Sequence, residues 1–151
     1  MNDDRSELAS PPPLPSRGPA PFILIGLAVL CLTVGSYYGL LVAPAEHYMR
    51  DVQRIMYIHV PTAWNAMLAF TWAFACALMF LFRGTWQWDS RLEAGIEVGV
   101  ILTLMLCMQG SIWAKPTWGV WWDWDPRLTT MAVLVFAFSG ILALRDRKSV
   151  V

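Results

Sequence analysis

Four apolar runs, at residues 22–42, 61–82, 95–112 and 128–144, each come close to the roughly 20 residues that a helix needs to cross a bilayer core. They predict an all-α integral membrane protein with four transmembrane helices. Composition agrees, because a chain of 151 residues that is 57% hydrophobic and 15% charged is too apolar for a soluble domain of its size. Gly26, Gly35, Ser36 and Gly39 give the first run small faces for close helix packing.

What lies between the runs excludes several classes. The formal net charge is zero and no basic run interrupts the sequence, so no nucleic-acid partner is expected. Cys31, Cys76 and Cys107 each fall inside a predicted span, far apart in sequence, which argues against a disulfide framework, a zinc site and a redox pair. Nor is there a CxxCH, the attachment motif for covalent haem of the c type. No nucleophile–base pair or paired carboxylates gather on one side of the membrane, so the chain is not expected to be an enzyme. Residues 1–20 are polar and proline-rich and predict a disordered cytoplasmic tail. The acidic start and the long first run favour an uncleaved anchor over a signal peptide. Residues 21–145 then form the transmembrane domain, with 146–151 as a second short cytoplasmic tail.

The connection AEHYMRDVQRIMYIHV is amphipathic, with Met49, Val52, Ile55, Met56 and His59 recurring at helical spacing opposite Glu46, Arg50 and Arg54. It predicts a short helix lying on the membrane surface. Pro61 suits the first turn of the second span, which places His59 at the membrane mouth. A lone histidine there is ordinarily a hydrogen-bonded interfacial residue, and His47, earlier in the connection, is more so. Glu97 stands near the inner end of the third span, where it can reach the interface or pair with Arg91, and reads as structural. Gln109 stands near the outer end. Arg145, Arg147 and Lys148 form a basic stop after the fourth span.

The most unusual stretch is WAKPTWGVWWDWDPRLTT, residues 113–130, which holds five of the nine tryptophans. Trp118, Trp121, Trp122 and Asp125 stand at i, i+3, i+4 and i+7, a single face if the segment is helical. That predicts an aromatic plate ending in a carboxylate. Asp125-Pro126 reads as an N-cap followed by proline at the first helical position, with Arg127 in the turn beside it. Tryptophan is enriched at membrane interfaces, and one or two would need no other account. Five within a dozen residues, beside Asp125 and Arg127, suit a large planar apolar ligand with acidic substituents: indoles for the ring, arginine for the carboxylates.

Orientation follows from lysine and arginine. With the N-terminus inside, the inner segments carry Arg5, Arg17, Arg83, Arg91, Arg145, Arg147 and Lys148, against Arg50, Arg54, Lys115 and Arg127 outside. Both termini are therefore expected in the cytoplasm. His59, the surface helix and the tryptophan-rich segment are expected to be periplasmic, in a bacterial inner membrane.

Two motifs carry a family resemblance. WGVWWDWDPRLTT resembles the WWD signature of haem-handling proteins in cytochrome c-type biogenesis. RIMYIHVPTAW resembles the segment bearing the first histidine of the haem exporter protein C (cytochrome c maturation protein C) family. The resemblance implies a membrane component that binds and presents non-covalent haem b at the periplasmic face, as part of haem transport. It implies ATP-binding-cassette export subunits and a periplasmic haem chaperone as partners. His59 would be an axial ligand to the haem iron. Trp113, Trp118, Gly119, Trp121, Trp122, Trp124, Asp125 and Arg127 would complete the haem platform. The family usually has six spans and a second histidine after the fifth, whereas this sequence reaches Val151 just past the fourth, so a fragment is one expectation. The competing reading is a membrane assembly module whose tryptophan-rich loop docks a periplasmic partner without haem.

Overall fold

In the computed structural model residues 18–149 are described, and the chain divides into two compact units, one ending at Gly35 and one beginning at Ser36. The tail expected over residues 1–20 lies, up to residue 17, outside the described residues. In the first unit the chain turns helical at Ala20 (α1, Ala20–Tyr37), a run of Leu, Ile, Val and small residues of which none is buried. A uniformly apolar, unburied helix is what hydrocarbon surroundings select.

The second unit opens with the end of that helix widened into a π turn, Tyr38–Val42. Its carbonyls are satisfied from the next connection: Arg54 donates to Leu40 O at 2.9 Å and to Ala43 O at 3.2 Å. Gly39 is required there, because a Cβ would stand 2.9 Å from Cβ of Tyr57.

The surface helix expected over residues 45–60 is not a separate element. A 3-10 turn, Asp51–Ile55, runs into α2, Met56–Arg83, with Met56 already in right-handed helical geometry. Residues 45–50 form a turn, closed by the Arg50 N–H on Glu46 O at 2.9 Å, and only the later part of the amphipathic pattern belongs to the start of one long helix. Pro61 accordingly sits inside α2 rather than in its first turn. It leaves the Tyr57 carbonyl without its helical N–H donor.

Gly84 ends α2 in left-handed geometry, at φ 60°, and gives its N–H to Phe80 O. Thr85 follows, and α3, Trp86–Trp118, returns antiparallel to α2. Residues 86–94, which the apolar runs leave between the second and third expected spans, are therefore the first part of α3. The fourth helix, α4, is Pro126–Ser149 and carries the fourth span past its expected end at residue 144.

Among the described residues four helices are long and apolar enough to cross a membrane: Ala20–Val42, Asp51–Arg83, Trp86–Trp118 and Pro126–Asp146. The protein is an all-α membrane protein. At 1.5 Å per residue, the 33-residue second and third spans are each about 50 Å long, against roughly 30 Å of hydrocarbon. His59 lies about 36 Å along the axis from Arg83, so the two cannot both sit in the hydrocarbon core.

Small residues let α2 and α3 approach closely. A Cβ on Gly95 would stand 3.1 Å from Cβ of Ala73, and one on Gly99 would stand 2.7 Å from the Phe70 ring. Ala73, Ile96 and Val100 form the buried core, with Phe138 and Leu142 of α4 packed against it. Phe70 and Phe138 hold α4 from the apolar side, their rings 4.5 Å apart. At the same end Arg145 pairs with Asp89 at 2.7 Å and with Glu93 at 3.3 Å. Glu97 is exposed, and Arg91 lies over Trp88 instead, 4.7 Å from its ring centroid.

Candidate functional site

The opposite end of this unit gathers the chemistry. His59, the fourth residue of α2, lies against α3 at Gly110, where a Cβ would meet its Cε1 at 3.6 Å. One turn on, Thr62 accepts a hydrogen bond from Nε2 of Gln109 at 3.3 Å. Nδ1 of His59 is enclosed and has no partner among the described residues.

The helical aromatic plate is overturned. Gly119 takes φ 82° and ends α3 at Trp118, its N–H bonded to Lys115 O at 3.0 Å, while Nζ of Lys115 donates to Gly119 O at 2.9 Å. Residues 119–125 are not helical, so the i, i+3, i+4, i+7 spacing does not define a face. The indoles meet edge to face: Trp113 with Trp118 at 4.9 Å and 85°, and Trp122 with Trp124 at 5.5 Å and 77°. That T-shaped arrangement suits the ring quadrupoles better than a flat stack.

The expected cap is present. Oδ1 of Asp125 accepts the N–H of Leu128 at 2.8 Å, Pro126 occupies the first helical position, and Thr129 N–H bonds to Asp125 O. Its other oxygen, Oδ2, takes two bonds from Arg127, at 2.6 and 3.1 Å. The Leu128 amide first, and the Arg127 bond next, hold the Asp125 carboxyl below its ordinary range. Arg127 also stands 5.2 Å from the centroid of the Trp118 ring, a cation–π distance. Most of its side chain remains exposed, leaving N–H groups for an anionic partner.

These residues enclose a cleft of about 220 Å³. Of the positions singled out in the sequence, His59, Trp113, Trp118, Asp125 and Arg127 line it. Gly119, Trp121, Trp122 and Trp124 do not. Trp121 and Trp124 are 58% and 72% exposed beyond it, and Trp122 is half-buried with its Nε1 enclosed and unpartnered. His47 sits in a turn against Tyr48 and does not reach the cleft. Five lining residues carried no signal in the sequence: Leu106, Cys107, Gly110, Leu128 and Met131. Their spacing is that of any apolar span, and only the packing of α2, α3 and α4 distinguishes them.

Chemically the cleft suits a haem edge. Its walls are aromatic and aliphatic, one imidazole is at hand, and a guanidinium stands at the rim. Its volume falls below the roughly 300–1,000 Å³ of sites that enclose a ligand, so a macrocycle would be only partly covered. Among the described residues no three His, Cys, Asp or Glu side chains gather to hold a bare ion. His59 fits iron already carried by a porphyrin.

Apolar spans joined at one end by a histidine- and tryptophan-lined cleft define a multi-pass helical membrane protein with a candidate ligand cleft. The chain belongs to the haem exporter protein C family, whose model matches residues 9–149. It is 38% identical over 119 residues to haem exporter protein C of Haemophilus influenzae, covering 78% of this chain and 48% of that protein. The Escherichia coli protein of the same name is 36% identical over 121 residues, covering 78% and 48%. A putative cytochrome c biosynthesis ccmC-like mitochondrial protein of Marchantia polymorpha is 31% identical over 124 residues, covering 82% and 54%. The chain spans about half the length of these curated relatives.

Proposed function

We propose that this chain binds haem b non-covalently in the cleft and presents it for cytochrome c-type biogenesis. The observation that carries the reading is the convergence of His59, Trp113, Trp118 and Arg127, drawn from three helices, on one apolar cleft. His59 supplies an axial nitrogen, the two indoles cover part of the ring, and Arg127 meets a propionate. The chain does no bond-making itself. It works with ATP-binding-cassette export subunits and hands haem to a periplasmic chaperone. Both termini are cytoplasmic and the cleft is periplasmic, in the bacterial inner membrane, as the lysine and arginine distribution supports.

Two experiments test this. A haem titration of the detergent-purified chain gives a Soret band that His59→Ala diminishes and shifts; an identical band in the variant counts against the proposal. A single cysteine at Gly119 reacts with an impermeant reagent from the periplasm; labelling only from the cytoplasm would reverse the orientation.

The exposure of Trp121 and Trp124 favours a second reading, in which these indoles dock a periplasmic protein with no haem involved. A chain that takes up no haem yet retains its partner complex in a Trp121- and Trp124-dependent way would support it.

A further inference from the structure

The seam beside the cleft holds three enclosed polar atoms with no partner among the described residues: Nδ1 of His59, Oε1 of Gln109 and Nε1 of Trp113. They are chemically complementary, because a carboxamide oxygen accepts two hydrogen bonds, an indole nitrogen only donates, and an imidazole nitrogen can do either. They are also neighbours in the fold. Gln109 precedes Gly110, which faces the imidazole, and Trp113 is one turn beyond Gln109 on the same face of α3.

The amide's orientation follows from the bonds around it. The Thr62 hydroxyl spends its proton on the Ile58 carbonyl at 2.8 Å, so towards Gln109 it can only accept. The amide therefore turns its NH2 to Thr62, at 3.3 Å, and is left with its oxygen as an enclosed acceptor. An enclosed acceptor without a donor costs its full desolvation, and the same holds for an enclosed N–H.

We propose that Gln109 is a positioning residue for His59: the two unpartnered atoms are not bonded in this structure, and a small side-chain adjustment lets Oε1 accept the Nδ1–H of the imidazole, which fixes the tautomer that keeps the Nε2 lone pair free for a ligand in the cleft. The same adjustment leaves the second lone pair of Oε1 for the Nε1–H of Trp113, which also lacks a partner in this structure. Ligand histidines commonly have their far nitrogen held this way, which fixes the ring and raises its basicity. Thr62 is the anchor that keeps the amide from flipping. The consequence for iron rests on the haem reading above; the tautomer does not.

The test therefore has two arms. The chain has only two histidines, so histidine-15N NMR of the haem-free protein, with His47→Ala for assignment, reads the His59 tautomer at a pH well above the ordinary imidazole value of about 6.5. The unmodified chain shows mainly Nδ1–H, Gln109→Glu keeps it, and Gln109→Leu moves the majority to Nε2–H. Mainly Nε2–H in the unmodified chain, or no change in Gln109→Leu, overturns the assignment. In the second arm, reduction potentials of the haem-loaded variants shift in opposite directions, lower for Gln109→Glu and higher for Gln109→Leu, and haem affinity falls roughly 10-fold in the latter. Shifts of the same sign, which a merely structural role would give, overturn the positioning role. Failure of the haem reading looks different: His59→Ala would leave the Soret band intact while the tautomer result stood.

Discussion

His59 and Gly110 face one another across the α2–α3 seam, and a Cβ on Gly110 would sit 3.6 Å from the imidazole Cε1. That is ordinary van der Waals contact, so Gly110→Ala is expected to fold and leave the ring in place. Gly110→Ile carries branches that the gap cannot hold, and the imidazole must move. The expected outcome is a native-like unfolding temperature for Gly110→Ala, a lowered one for Gly110→Ile, and loss of the His59-dependent haem spectrum in Gly110→Ile alone.

Deeper in the seam the tolerance is smaller. A Cβ on Gly99 would stand 2.7 Å from the Phe70 ring, and Phe138 restrains that ring at 4.5 Å. Gly99→Ala is expected to cost about 1–3 kcal/mol through overpacking. Phe70→Leu in the same chain should recover part of it. Thermal unfolding in detergent of the single and double variants checks both.

At the far end from the cleft, Arg145 ties α4 to Asp89 and Glu93 at 2.7 and 3.3 Å, with all three side chains at least partly covered. Arg145→Ala leaves two carboxylates facing each other and is expected to cost about 1–2 kcal/mol, between the values for exposed and buried pairs. Arg145→Lys keeps the charge and loses the two-point bond to Asp89, so it should fall between. The same unfolding measurement ranks them.

Asp125 gives a pH dependence of defined sign. The Leu128 amide and Arg127 favour its ionised form, so its folded-state pKa lies below the unfolded value of about 3.9. Its contribution to the start of α4 is complete above that unfolded value and is lost as pH falls through the lower folded one. Protection of the amides of residues 128–130, with the intrinsic pH dependence of exchange divided out, should therefore fall under acid. Asp125→Asn keeps a capping oxygen and should flatten that acid dependence, while Asp125→Ala should show low protection at every pH.

The sequence showed the four spans because hydropathy over about 20 residues is a local property. It showed the Asp125-Pro126 cap for the same reason. It also brought His59 to the end of the molecule that carries Trp113 and Trp118, since two antiparallel crossings return the chain to that end. Helical spacing misled at Trp118, because the Gly119 stop ends α3 just where the periodic pattern begins. It misled again at 45–60, where the first part is a turn and the rest is the start of a long helix, not a separate one. Gln109 and Thr62, 47 positions apart, meet only through packing, and nothing in their local sequence announces it.

Complementation by free imidazole is the sharpest probe of whether His59 reaches haem iron from within the cleft. In His59→Gly the imidazole side chain is removed while Trp113, Trp118 and Arg127 still line the walls, so free imidazole can take its place. Haem added to this variant is expected to give an altered, weakened Soret band, and millimolar imidazole to restore the band of the unmodified chain. A His59→Gly spectrum identical to the unmodified one before any imidazole is added would contradict an iron bond from His59.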